Sequence, residues 1–216
     1  MSGFIEIFIS TKTGVTVFHY NYKGTSGKNS ELITGFLSAI NSFVEELGWP
    51  SGVGLIRAKG LECRIVCGEV VFCALLISST AGLGVMTDPI LNNLAEELYT
   101  AFEKRFGAEV KKDGNYIESS KYQKFEEDCK KIIQIEKEQT YELYQKLILI
   151  ESFQAKVPQK WCLPLIEELS SGVKDVTPKF ADIIQKYPHM KKIIERVNTV
   201  NFMIWDIFDI PLYIPK

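Results

Sequence analysis

Three β-rich runs joined by two-residue links constrain this chain more than any other feature. Val53–Ala58, Leu61–Cys67 and Val70–Ser78 are separated only by Lys59-Gly60 and Gly68-Glu69. A parallel crossover needs about a dozen residues, so strands this close in sequence can only pair antiparallel. The third run, Val70 to Ile77, is apolar at odd and even positions alike. Side chains alternate faces along a strand, so this one belongs in the middle of a sheet covered on both sides. Leu61, Cys63, Ile65 and Cys67 alternate with Glu62, Arg64 and Val66, which places that strand nearer an edge.

Upstream, Phe4–Ser10 and Val15–Tyr22 are two further β-rich runs, linked by Thr11-Lys12-Thr13-Gly14. The short glycine-containing link predicts a hairpin. Ile5, Ile7 and Ile9 on one face, with Phe4 and Phe8 on the other, make its first strand central. Lys23–Asn29 reads as a loop. From Asn29 or Ser30, both good N-caps, the period becomes helical. Leu32, Ile33, Phe36, Leu37, Ile40, Phe43, Val44 and Leu47 recur at the spacing of one helix face, predicted to be the buried one. Gly48 and Pro50 end that helix. After a glycine-containing loop, Ser79–Thr87, the pair Asp88-Pro89 starts a second helix. It buries Ile90, Leu91, Leu94, Leu98, Ala101, Phe102 and Phe106, and Gly107 closes it.

Beyond Ser119 the signals are helical. A long amphipathic helix is predicted from Tyr122 to about Ala155, with a polar middle, Glu136–Thr140, that is exposed or broken. Shorter helices follow over about Lys160–Ser170, from Thr177-Pro178 to Tyr187-Pro188, and from Met190 to Phe208. The fold class is therefore α+β: a five-stranded antiparallel sheet flanked by helices over 1–107, then a helical region over 118–216.

The order strand-strand-helix-strand-strand-strand-helix resembles the longin core. The roadblock fold shares it with an extra helix in front, so longin is closer for a chain that begins on a strand. The short first strand, the Thr13-Gly14 turn, the aromatic second strand and the stretch Leu32-Ile33-Thr34-Gly35-Phe36-Leu37-Ser38-Ala39-Ile40 are similar in wording. The resemblance covers roughly residues 3–107; the helical half resembles no family. It implies a non-catalytic, cytoplasmic protein-interaction scaffold that regulates or binds a small Ras-like GTPase in vesicle trafficking or signalling. It also implies pairing, through the first helix and the adjoining edge strand, with a second copy or a longin/roadblock-type subunit. The alternative is a small-molecule-sensing module of related α/β sandwich fold, with a partly polar pocket lined from the second strand and the Ser79–Thr87 loop.

Composition agrees with a packed chain. Of 216 residues, 46 % are hydrophobic and 12 % aromatic, enough for a core, and the net charge of −2 argues against gripping phosphate backbones. No signal peptide or membrane span is read; any membrane association is peripheral, through partners. Five cysteines show no C-x-x-C spacing and only His19 and His189 accompany them, so no metal site is expected. Cys63 and Cys67 read as core residues. No P-loop, G-x-S-x-G or H-E-x-x-H motif occurs, no cofactor is implied and no catalytic residue is assigned. Cys73 as a nucleophile would need His19 beside it, and His19 reads as a satisfied strand residue. Glu96-Glu97 and Glu126-Glu127-Asp128 read as solvated charge.

Two features remain as candidate contact surfaces. Gly35, Ser38, Ala39 and Ser42 form a stripe of small residues on the first helix. A mid-helix glycine costs about 1 kcal/mol and asks for a packing reason. The stripe either packs on the chain's own sheet or, with Val53 and Leu55, forms a subunit interface. Trp205, Phe208, Leu212 and Tyr213 near the C-terminus are partner anchors, or pack back on the N-terminal domain.

Overall fold

The computed structural model describes residues 4–23, 26–48, 52–58, 61–78, 88–114, 116–154, 177, 181–186, 188, 190–192 and 194–195. The chain forms two compact units, Met1–Gln134 and Ile135–Lys216. It is an α+β structure.

In the first unit, β1 (Phe4–Thr11), β2 (Thr16–Lys23), β3 (Leu55–Ala58), β4 (Leu61–Cys67) and β5 (Val71–Ser78) build one sheet in the order β2-β1-β5-β4-β3. Every pairing is antiparallel. The two most apolar strands, β1 and β5, sit inside it, as their two-faced patterns require; Ile5, Ile7, Phe8 and Ile9, and Val71 through Ile77, are buried. β4 lies one strand from the edge, and the four-residue β3 is the edge itself.

Register assigns the two faces. Phe8 lies opposite Ala74 and His19, and Ile9 opposite Cys73 and Phe18. One face therefore carries Phe8, Phe72, Ala74, Leu76, Cys63 and Ile65, which cluster with Leu37 of helix α1 (Ser30–Glu46). The other face meets helix α2 (Asp88–Asp113) through Leu91, Leu94, Leu98 and Phe102, all 0 % exposed. Phe125, at the start of helix α3 (Phe125–Gln154), packs edge-on against Phe18 and Phe102 with ring centres 5.3 and 5.0 Å away. A single 3-10 turn, Ser119–Tyr122, precedes α3, and the Tyr122 hydroxyl donates to Asp113 at 3.0 Å.

Several expectations need correction. Gly107 does not close α2. The apolar period continues from Phe106 to Val110, 1 % exposed, and carries the helix to Asp113. Gly114, with φ +59°, then turns the chain out, its N–H donating to the Val110 carbonyl at 3.1 Å. The polar middle of α3 is not broken, since the helix is continuous, and it is exposed only in part: Glu136, Lys137 and Thr140 are buried, Glu138 and Gln139 exposed. Cys67 is exposed, unlike Cys63. In the second unit, α4 (Ala181–Lys186) falls within the helix anticipated after Thr177-Pro178, and 190–192 and 194–195 are helical. The helix anticipated over about Lys160–Ser170 and the loop Ser79–Thr87 lie outside the described residues.

Candidate functional site

Helix α1 is set onto the sheet by its polar side chains. Asn29 caps it, its Oδ1 accepting from the N–H groups of Glu31 at 2.8 Å and Leu32 at 3.4 Å. Its buried residues are Thr34, Leu37, Ser38 and Asn41. The Ser38 hydroxyl donates to the Lys12 carbonyl at 2.5 Å. Thr34 lies 2.8 Å from the Thr16 hydroxyl and donates to the Gly14 carbonyl at 3.1 Å. Asn41 Oδ1 accepts from the Val53 N–H at 3.0 Å and so fixes the approach to β3. These bonds satisfy backbone groups of the β1–β2 turn and of 52–54 that would otherwise be covered without partners.

The small-residue stripe is divided by this arrangement. Gly14, with φ +88°, approaches so closely that a β-carbon there would lie 3.2 Å from Ser38 Cβ and 3.3 Å from Gly35 Cα. Ser38 and the Gly35 backbone thus flank the chain's own hairpin turn, although a β-carbon on Gly35 itself would meet nothing within 4 Å. Ala39 and Ser42 are exposed, Val53 is half-buried and Leu55 is exposed on the edge strand. Trp205, Phe208, Leu212 and Tyr213 lie outside the described residues.

The apolar residues of α1 do not form one buried face. Leu37 is buried and Ile33, Ile40 and Val44 are half-buried, but Leu32, Phe36, Phe43 and Leu47 are 69 %, 58 %, 61 % and 54 % exposed. With Ala39 they run along the outer side of the helix at intervals of four, three, four and four residues. That spacing is close to the alternation of three and four by which one helix presents a continuous seam to another. Such a ridge near a strand that is the sheet's edge among the described residues is a surface suited to a partner.

Next to the ridge is a cleft. Five strands spaced about 4.8 Å apart span far more than the roughly 10 Å width of one helix. Among the described residues α1 alone lies on this face, towards the β1–β2 turn, so the β3–β4 side is uncovered. The resulting cavity of about 590 Å³ has Ile33, Phe36 and Leu37 as one wall and Ile56, Ala58 and Leu61 as the other. Cys63 and Leu76 form its floor, and Leu32, Ser26 and Lys28 stand at its end towards the start of α1. It is not the partly polar pocket on β2 that the ligand-sensing alternative anticipated. Comparison with protein-family models, curated proteins and solved structures finds no match.

The sheet carries two charged clusters that patterning alone does not reveal. Glu62 and Arg64, alternating residues of β4, are 0 % and 2 % exposed beneath α2. Glu62 accepts from Arg57 on β3 and from Arg64, each at 2.6 Å, while Arg64 also donates to Asn92 of α2 at 2.6 Å. The cluster ties β3, β4 and α2 together. Glu6, buried on the α1 face, accepts from the Ser26 N–H at 2.5 Å and hydroxyl at 2.8 Å and so anchors the loop before α1.

Cys73 is separated from the base it would need, His19. His19 is on the α1 face, stacked on Phe8 with ring centres 4.5 Å apart, and Cys73 is on the α2 face, so the sheet lies between them. His19 Nε2 has no hydrogen-bond partner, but the ring hydrogen-bonds with the Asn21 side chain, so the histidine expected to be satisfied is satisfied at one nitrogen. Burial lowers its pKa, with Glu6 partly opposing. Burial pushes the Cys63 thiol up to about 12 and also raises Cys73 and Cys129, which keeps these thiols protonated and poorly nucleophilic at neutral pH. Among the described residues no three side chains of metal-binding type converge, and no helix is long and apolar enough to cross a membrane.

Proposed function

We propose that the chain is a non-catalytic, longin-type interaction scaffold of the cytoplasm that binds or regulates a small Ras-like GTPase in trafficking or signalling. The order ββαβββα supports the longin reading. The observation that carries the scaffold reading is the outward ridge Leu32, Phe36, Phe43 and Leu47 of α1 beside the open edge of β3. Its natural occupant is the same surface of a second copy or of a longin/roadblock-type subunit, which places a GTPase on the resulting platform. The Ala39 and Ser42 side chains border that surface and Val53 is held at its margin by Asn41, whereas Leu55, in register with Arg64, is on the α2 face of the edge strand.

The test is retention of purified small Ras-like GTPases, loaded with GDP or a non-hydrolysable GTP analogue, on the immobilised full chain. Nucleotide-dependent retention that Phe36→Asp weakens supports the proposal. Retention of no GTPase in either state contradicts it. A small-molecule-sensing role is the second reading, favoured by the apolar cleft beside α1.

A further inference from the structure

The cleft beside α1 has a chemistry of its own. Its volume of about 590 Å³ is within the roughly 300–1,000 Å³ of small-molecule sites. Its walls and floor are aliphatic and aromatic apart from the Cys63 thiol, so they offer a ligand dispersion and desolvation but almost no hydrogen bonds. Ser26, the nearest hydroxyl, is engaged by Glu6. The charged side chain in the lining is Lys28, an exposed ammonium with no ion pair among the described residues. It stands two residues before the first residue of α1, whose positive dipole end also favours an anion. Glu31, the nearest acid in sequence, is on the first turn but is not part of the lining. The cavity also descends between helix and sheet to Cys63 and Leu76, which are 5 % and 7 % exposed. A thin, flexible chain can reach that floor; a helix about 10 Å across cannot.

We propose that this cleft binds a long-chain fatty carboxylate, with its hydrocarbon chain between α1 and β3–β4 and its carboxylate at Lys28. The inference deepens the small-molecule reading, on which it rests; because Leu32 and Phe36 belong both to the cleft and to the ridge, it is tested at positions outside the ridge. Affinity grows with each methylene withdrawn from water, so the chain supplies most of it and the exposed ion pair supplies orientation.

The full chain is titrated with the fluorescent fatty acid cis-parinarate, which is then displaced by palmitate or by the neutral hexadecanol. Two variants at exposed positions, Lys28→Glu and Ala58→Trp, are compared after their melting temperatures are checked. Saturable binding of one probe per chain is expected. Lys28→Glu should weaken palmitate about three- to tenfold, the effect of one exposed charge contact reversed, and leave hexadecanol unchanged. Ala58→Trp, which fills the cleft from the edge strand, should remove both. No saturable binding, binding that survives Ala58→Trp, or palmitate affinity indifferent to Lys28→Glu overturns the proposal. GTPase retention measured on the same samples reports separately on the scaffold reading.

Discussion

The hydroxyl of Ser38, buried on α1, donates to the backbone carbonyl of Lys12 at 2.5 Å. This bond, with those of Thr34 and Asn41, turns a polar stripe of the helix towards the chain's own sheet and leaves a row of large apolar residues outside. Ser38 therefore serves the fold. Ser38→Ala should lower stability by about 1 kcal/mol, read as a lower urea midpoint with an unchanged slope. Ser38→Arg should destabilise more, because the side chain must displace the turn at Gly14. A Ser38→Arg chain as stable as the natural one would contradict the buried placement.

The Arg57–Glu62–Arg64 cluster makes a second prediction. Glu62 and Arg64 are almost wholly buried, so removing Arg64 leaves the Glu62 carboxylate in place with Arg57 but without one of its two guanidinium partners. Arg64→Met alone should cost about 1.5–3 kcal/mol in chemical denaturation, the loss of one charged hydrogen bond to a buried carboxylate. Adding Glu62→Leu should recover much of that loss, since the charge that loses its carboxylate, Arg57, is exposed to water rather than buried. A double variant no better than Arg64→Met would show that the cluster is not a coupled unit.

His19 gives a pH dependence. Burial is the main cause of its lowered pKa, so the folded chain prefers the neutral ring. The unfolded chain then binds more protons below the ordinary value of 6.5, and the contribution is present above that pH and lost as pH falls. Between pH 7 and 5 the natural chain should lose melting temperature faster than His19→Phe, which retains a ring on Phe8. Parallel curves for the two would remove His19 as the cause.

Thiol reactivity offers a further check. Cys63, Cys73 and Cys129 are buried and Cys67 is exposed. Among these four, a maleimide at pH 7 should modify Cys67 in the native chain and the other three only after unfolding, as read by peptide mass mapping. Rapid native labelling of Cys73 would contradict its place in the centre of the sheet.

What was legible in the sequence follows from what is local. The links Lys59-Gly60 and Gly68-Glu69 leave antiparallel pairing as the one choice, and the two-faced apolar patterns of β1 and β5 place them inside the sheet. The side of α1 that faces inward was not legible. Its apolar residues span too wide an arc for periodicity to select one face, and the deciding bonds reach the β1–β2 turn from Thr34 and Ser38, 20 and 26 residues away. Glu62 and Arg64 placed their strand nearer an edge, but their burial was not legible because their partners, Arg57 and Asn92, belong to other elements. Gly107 read as a stop because glycine often ends helices, yet Val110 extends the buried stripe past it.

The most direct test of the central claim, that the outer ridge of α1 is an association surface, is the mass of the chain in solution by light scattering. The proposal predicts about twice the 24.5 kDa of one chain for the natural protein. It predicts a single-chain mass for Phe36→Asp/Phe43→Asp, whose melting temperature should be almost unchanged because both side chains are more than half exposed. The same mass for both proteins would contradict it.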